Sequence, residues 1–363
     1  MTDVSRSTVL AETASRGSFV QKILAFRFKR AMPAGEKHFL LALLSVIAVA
    51  AVVLYIVTPV PLRAILFGFR MYMFLPFVSV SIVAAVVWLA ERFVGHRIPH
   101  LHARGQWMLM TAIVTSATIP VFGMFKQYVL KTQGFPFDPA LAAADRLLFA
   151  GHDAWQVMHA LFESLWFTIL VDQAYAAWLA LLMFCPVLWA AVIADPLVRA
   201  RLIGCWLGVW IMIGGVGAWL LASAGPMYYP HFIGPNASFA QLHDRIVALG
   251  EMAKAAGTII TTPYGHMALL HRYENGGYSP GYGISAMPSV HVSMAVLFAI
   301  GGFAIRRWLG LILSAYALLI WIGSIYLGWH YALDGIVGTA MTIGLWKLSA
   351  KIAEPFARDT DAA

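Results

Sequence analysis

Eight stretches of predominantly apolar residues, each near the length of a bilayer-crossing helix, constrain this chain more than any other feature. They cover residues 39–60, 70–91, 107–125, 169–193, 202–224, 287–304, 308–329 and 331–347. A helix rising ~1.5 Å per residue needs about 20 such residues to cross a hydrocarbon core ~30 Å thick. Of the 363 residues, 61% are hydrophobic and 12% charged, and the mean hydropathy is +0.76. A soluble domain carries about 25% charged residues, so this much apolar surface cannot be hidden from water in a soluble core. The expected fold is all-α: a polytopic bundle of about eight transmembrane helices with a long outer loop. The fourth stretch has an indistinct start, and residues 153–170 read as an interfacial helix leading into it. The last two stretches are nearly continuous, joined by a turn around Trp329 to Tyr331.

Lysine and arginine set the expected orientation, because short cytoplasmic loops are enriched in them. With the N-terminus in the cytoplasm, 17 of the 25 Lys and Arg residues fall inside, seven fall outside and Arg70 sits at a membrane edge. Both termini are therefore expected inside. The net charge of +8 reads as a topology signal, and no nucleic-acid partner is expected. Residues 1–37 read as a basic cytoplasmic tail with no cleavable leader. Within that tail, Gly17 to Met32 mixes aromatic and basic residues, which suits either an anionic inner leaflet or a simple basic tail. Residues 38–350 form the transmembrane domain, with a motif-bearing core at 107–347, and 351–363 form a cytoplasmic C-terminal tail. Cys185 and Cys205 lie inside apolar runs and offer neither a disulfide framework nor metal-ligand spacing. His100 and His102 read as part of a solvated basic loop.

Two outer segments are long, 126–163 and 225–286. The second contains a helical stretch near Ser238 to Ala256 and ends in HRYENGGYSPGYGISAMPSVH. Gly, Pro, Asn and Tyr dominate that end, the composition of an ordered irregular loop. Its tyrosines (264, 273, 278 and 282) favour packing as a cap over a site, with simple mobility of the loop as the competing reading.

Three residues stand out chemically. His291 lies in Met287-Pro288-Ser289-Val290-His291, at the outer start of the sixth stretch. Proline suits a first helical turn, whose N–H lacks an intrahelical partner anyway. The free N–H groups and positive helix end suit a phosphate, and Ser289 adds a hydroxyl. His330 and Asp334 are four residues apart at the outer start of the eighth stretch, hence on one helix face. Asp334 is placed to accept a hydrogen bond from one ring nitrogen of His330, which fixes the tautomer and stabilises positive charge on the ring. That is the logic of a nucleophile or base held by an acidic partner. The chain crosses inward and returns between His291 and His330, so both reach the same side at equal depth. Ionisable residues at such depth mark function by default; a purely structural role is the competing reading. Asp172, in the outer half of the fourth stretch, either lines the bundle interior or marks the end of the interfacial helix.

The segments AMPSVHVSMA and IYLGWHYALDGIVG resemble the second and third motifs of the type-2 phosphatidic-acid phosphatase superfamily. They are most similar to its branch containing inositol phosphorylceramide synthases, which are inositolphosphotransferases. The usual second motif, PSGH, here reads PSVH. The third motif, SRxxxxxHxxxD, matches in its His-to-Asp spacing, but Gly323-Ser324 stands where its Ser-Arg pair would be. The first motif, KxxxxxxRP, finds no match in the loop before PSVH, where Lys254 with Pro263 is a faint echo. The resemblance spans about 287–340 at motif level and extends loosely back to 107.

The resemblance implies a metal-independent enzyme with no cofactor. His330 would attack phosphorus and become a phosphohistidine, Asp334 would support it, and His291 would protonate the leaving oxygen. Ser289 and the helix N-terminus would hold phosphate oxygens. A cation must still neutralise the phosphate. Arg272, beside His271, is the first candidate, and Lys126 and Lys131 come next; each equally reads as a headgroup-facing charge. The expected function is transfer of a phospho-headgroup from a phospholipid or lipid phosphate to a lipid alcohol. Hydrolysis to inorganic phosphate is the alternative, and a lipid transporter or non-catalytic scaffold the third reading. Compact loops suit a bacterial inner membrane, with the site on the non-cytoplasmic side.

Overall fold

The computed structural model describes residues 32–94, 101–278, 281 and 283–358. Most of the basic N-terminal tail, the stretch from Gly17 up to residue 31, His100, Tyr282 and the last five residues lie outside the described residues.

The described residues form helices and no strand, as the apolar pattern requires. Those of eight residues or more are α1 (Ala34–Val57), α2 (Leu62–Val94), α3 (Leu101–Gln133), α4 (Asp138–Leu148), α5 (Ala154–Leu161), α6 (Leu165–Val192), α7 (Pro196–Leu220), α8 (Ala237–Ala255), α9 (Thr262–Glu274), α10 (Val290–Ile305), α11 (Arg307–Tyr326) and α12 (Ala332–Arg358). Six of them, α1, α2, α3, α6, α7 and α11, are long and apolar enough to cross a membrane. The chain is thus built as an integral membrane protein. The other two expected crossings correspond to α10 and α12. With 16 residues, α10 rises only ~24 Å, which is short for a lipid-exposed span. It packs on α6, α7, α11 and α12, and protein surrounds most of its length. By contrast α1, α2 and α11 turn large apolar side chains outward, among them Ile56, Phe74, Trp88 and Trp308. That is the composition of a lipid-facing surface.

Local signals explain several helix starts. Asp195 caps α7, its carboxylate accepting from the N–H groups of Leu197 and Val198, with Pro196 at the first helical position. Asp153 and Gln156 form a capping box at α5. The interfacial helix expected over 153–170 is two elements: short α5, then α6 from Leu165. In the outer segment, α8 fulfils the helical stretch expected near 238–256, and α9 adds a second helix. Asp172, fully buried on α6, holds α9 in place by accepting from the N–H and hydroxyl groups of Thr261 and Thr262 at its N-terminus.

At the end of the bundle where α1 begins and α6 ends, Glu36 anchors a buried polar cluster. It accepts from Arg199 at 2.8 Å and from the Trp107 indole, while Arg199 also donates to the Ile193 carbonyl. Both members of the ion pair are almost fully buried. Removing one partner leaves the other as an uncompensated buried charge, which costs about 3–5 kcal/mol. Arg199→Leu should therefore lower the thermal unfolding midpoint of the detergent-solubilised protein, and adding Glu36→Leu should restore part of the loss. An unchanged midpoint in the single variant would mean the pair contributes nothing.

Candidate active site

Two turns at one end of the bundle meet; one leads into His291 in the first turn of α10 and the other carries His330. The first, residues 286–289, leads into α10. The second, residues 327–331, joins α11 to α12. A backbone hydrogen bond from Ser289 N–H to the Asp334 carbonyl (3.0 Å) links them directly. A third segment, 223–227, straps both from below. Ser223 accepts from the N–H of Ala286 through its carbonyl and from that of Met287 through its hydroxyl, and Met227 N–H donates to the Gly328 carbonyl. Glycine is required at 225, where φ is +99° and a Cβ would lie 2.7 Å from the Trp329 carbonyl oxygen. Residues 209–217 of α7 adopt a π-helical form, a widening often found at functional sites. Its glycines let α10 approach: a Cβ on Gly217 would lie 3.0 Å from the Pro288 ring.

Within this frame the side chains form a short chain of hydrogen bonds. His330 Nδ1 lies 3.2 Å from Asp334 Oδ2, and His330 Nε2 lies 3.2 Å from Ser289 Oγ. Asp334 Oδ2 also accepts from the Tyr331 N–H at 2.9 Å, while Oδ1 is buried without a donor. An ionised Asp334 makes Nδ1 the protonated nitrogen and leaves the lone pair on Nε2. Ser289 is also the N-cap of α10, accepting from the Val292 N–H, so its hydroxyl marks where the positive helix end begins. Across from it stands His291, with its ring 5.9 Å from that of His330. Tyr175 and Trp178 of α6 flank the His291 ring at 4.6 and 4.2 Å, and the Trp178 indole donates to the His291 carbonyl.

Both histidines line one cavity of about 420 Å³, together with Lys126 of α3, Trp210 of α7 and Trp329. The structure therefore brings together His291, His330, Asp334, Ser289 and Lys126. Arg272 does not join them: it is exposed on the last turn of α9 and is not among the cavity-lining residues, and His271 is exposed beside it. Lys131 sits over the rings of Tyr273 and Tyr278 instead. The 225–286 segment does cover the site, since Leu269 of α9 lines the cavity and His266 stacks on Trp329 at 3.7 Å. Among the described residues, no group of three or more His, Cys, Asp or Glu is placed to hold a metal. The aromatic wall from Tyr175, Trp178 and Trp329 was missed from sequence; the one available signal was the density of aromatic residues at the outer ends of the apolar runs.

His266 belongs to the cap. Burial drives its pKa down to about 3, against the pull of the Leu327 carbonyl that accepts from its Nε2–H at 3.0 Å. A neutral folded histidine and an unfolded one of ordinary pKa mean that the unfolded state binds the extra proton. Stability from this group is complete above about pH 6.5 and is lost as pH falls toward 3. The midpoint difference between native protein and His266→Phe should shrink as pH falls from 7 to 5. A constant difference would exclude His266 as the group responsible.

Residues 139–348 match the sequence profile of the PAP2 superfamily, over more than half of the chain. No curated protein and no solved structure matches it.

Proposed function

We infer the activity from a plain premise: the chain belongs to the PAP2 superfamily, whose activity is of the lipid phosphatase or phosphotransferase type. We propose that it is a phosphotransferase that moves a phospho-headgroup from a phospholipid to a lipid alcohol through a phosphohistidine. The observation that carries the proposal is the Ser289–His330–Asp334 hydrogen-bond chain facing His291 across one cavity.

In the first step His330 Nε2 attacks phosphorus. An N–P bond forms, the P–O bond to the leaving lipid alcohol breaks, and His291 delivers a proton to that oxygen. Asp334, at Nδ1, holds the ring's tautomer and offsets the positive charge that develops as Nε2 bonds to phosphorus. In the second step the acceptor hydroxyl gives its proton to His291 as its oxygen attacks phosphorus, and the N–P bond breaks to restore His330. Ser289, the N-terminus of α10 and Lys126 hold the phosphoryl oxygens, where donors aimed at developing charge act most strongly. Arg272, exposed on the last turn of α9, is the second candidate cation for the headgroup. No metal or cofactor enters these steps.

Two features favour transfer over hydrolysis. The cavity walls are largely aromatic and aliphatic, which disfavours water as the acceptor, and the Ser-Arg pair of the third motif is replaced by Gly323-Ser324. Both fit the branch of inositolphosphotransferases. The reading also places the protein in a bacterial inner membrane, with termini in the cytoplasm and the cavity opening on the other side. Hydrolysis to inorganic phosphate by the same two histidines is the second reading.

Purified protein incubated with labelled phosphatidylinositol or phosphatidic acid, with and without a lipid alcohol, should form a new phospholipid only when the alcohol is present. Free phosphate as sole product overturns the transferase reading. His330→Ala should lower turnover by at least about 10³-fold, and His291→Ala by about 10²–10⁴-fold, the range for loss of a general acid. Full activity in both variants would leave the phosphohistidine mechanism without a nucleophile.

A further inference from the structure

We propose that Asp138 and Asp145, both on α4, are positioning residues that orient the His330 turn from outside the catalytic cavity; this rests on the reading of His330 as the nucleophile. Neither carboxylate is among the residues lining that cavity, and both are buried, at 0% and 3% exposure. They are seven residues apart, two helical turns, so they share one face of α4.

Each grips the turn at a different point. Asp145 accepts from the Ala332 N–H (2.7 Å) and the Leu333 N–H (3.1 Å), which are the first N–H groups of α12. It thus caps that helix from nearly two hundred residues away in sequence. Asp138 accepts from the Tyr331 hydroxyl (2.8 Å) and from the N–H groups of Ala224 and Gly225 (2.7 and 2.9 Å). It therefore ties the strap under both turns to the residue that follows His330. With Tyr331 N–H donating to Asp334, the three consecutive N–H groups after His330 all end on carboxylates. The backbone that aims the imidazole has no unheld donor until the helix takes over.

A purely structural scaffold has cheaper means. Burial raises both carboxyls to about 6 despite the donors that favour ionisation. The groups facing them are Tyr331 on the turn, Asp334 in the first turn of α12, and Asp153 at the start of α5, which is itself paired with Arg146. Asp334 and Asp153 carry the same sign, so the arrangement keeps like charges close. In return, the turn carrying His330 is fixed in register with the turn that leads into His291. Misplacing a reacting group by 1 Å costs about 10²-fold in rate.

The test uses the full-length protein in detergent and whichever of phosphatidylinositol or phosphatidic acid the native protein turns over. Asp145→Leu should lower kcat per folded molecule by about 10- to 100-fold with KM little changed. Asp145→Asn, which keeps an amide oxygen able to cap α12, should recover most of that loss. Tyr331→Phe removes one hydrogen bond without burying a new polar group. It should lower kcat about two- to tenfold, and Asp138→Asn in the Tyr331→Phe background should add little. If Asp145→Leu and Tyr331→Phe keep native kcat per folded molecule, with only the unfolding midpoint reduced, the proposal is overturned. His330→Ala separates the two failures. If it remains active, the nucleophile reading itself falls. If it is inactive while the α4 variants turn over normally, only the positioning role falls.

Discussion

The hydrogen bond from Ser289 N–H to the Asp334 carbonyl is the contact on which the site depends. It joins the first residues of α10 to the first turn of α12, so two helix starts lie side by side with their positive ends facing the same way. The Ser289–His330–Asp334 chain is assembled across that pairing. The Ser289 hydroxyl reaches Nε2 of His330, and Asp334 reaches Nδ1 of the same ring. Gly338 shows how little room the pairing allows. A Cβ there would lie 2.8 Å from the Ser289 carbonyl oxygen and 2.7 Å from Ser293 Oγ.

A bilayer rewards this economy. A hydrocarbon core offers no hydrogen-bond partners, so a backbone group freed by a turn within it must find a protein partner. The two turns and the 223–227 strap supply one another, and α4 supplies what remains. The buried Glu36–Arg199 pair solves the same problem among α1, α3 and α7. Between these polar anchors the helices need only apolar contact, which is why the long outward faces of α1 and α2 carry so little else.

What was legible in the sequence follows from which contacts are local. The dipeptide Pro288-Ser289 and the i,i+4 pair His330–Asp334 are local patterns, so the start of α10 and the histidine–carboxylate contact could both be read directly. Run length gave the bundle its class and most of its helices. It was less informative at boundaries: α3 continues through Gln133, past the apolar run that ends near 125, and so carries Lys126 to the cavity. Helix α9 was not foreseen, because its composition is polar and its start is held by Asp172, some ninety residues earlier. The same holds for Asp138 and Asp145. Nothing around them in sequence reveals that their partners are residues 331–333. Arg272 looked well placed by proximity to PSVH, yet helix α9 turns it outward.

The position of His330 in the chain sets the order in which this protein can become competent. The N-terminal helices, the cap and α10 are all made before the turn at 327–331 leaves the ribosome, because synthesis runs from the N-terminus. The nucleophile and its carboxylate arrive only with the final helix, and they dock onto carboxylates displayed by a segment made long before. A nascent chain halted within α11 therefore holds Tyr175 and Trp178, the strap and the cap, but no His330 to react with a lipid.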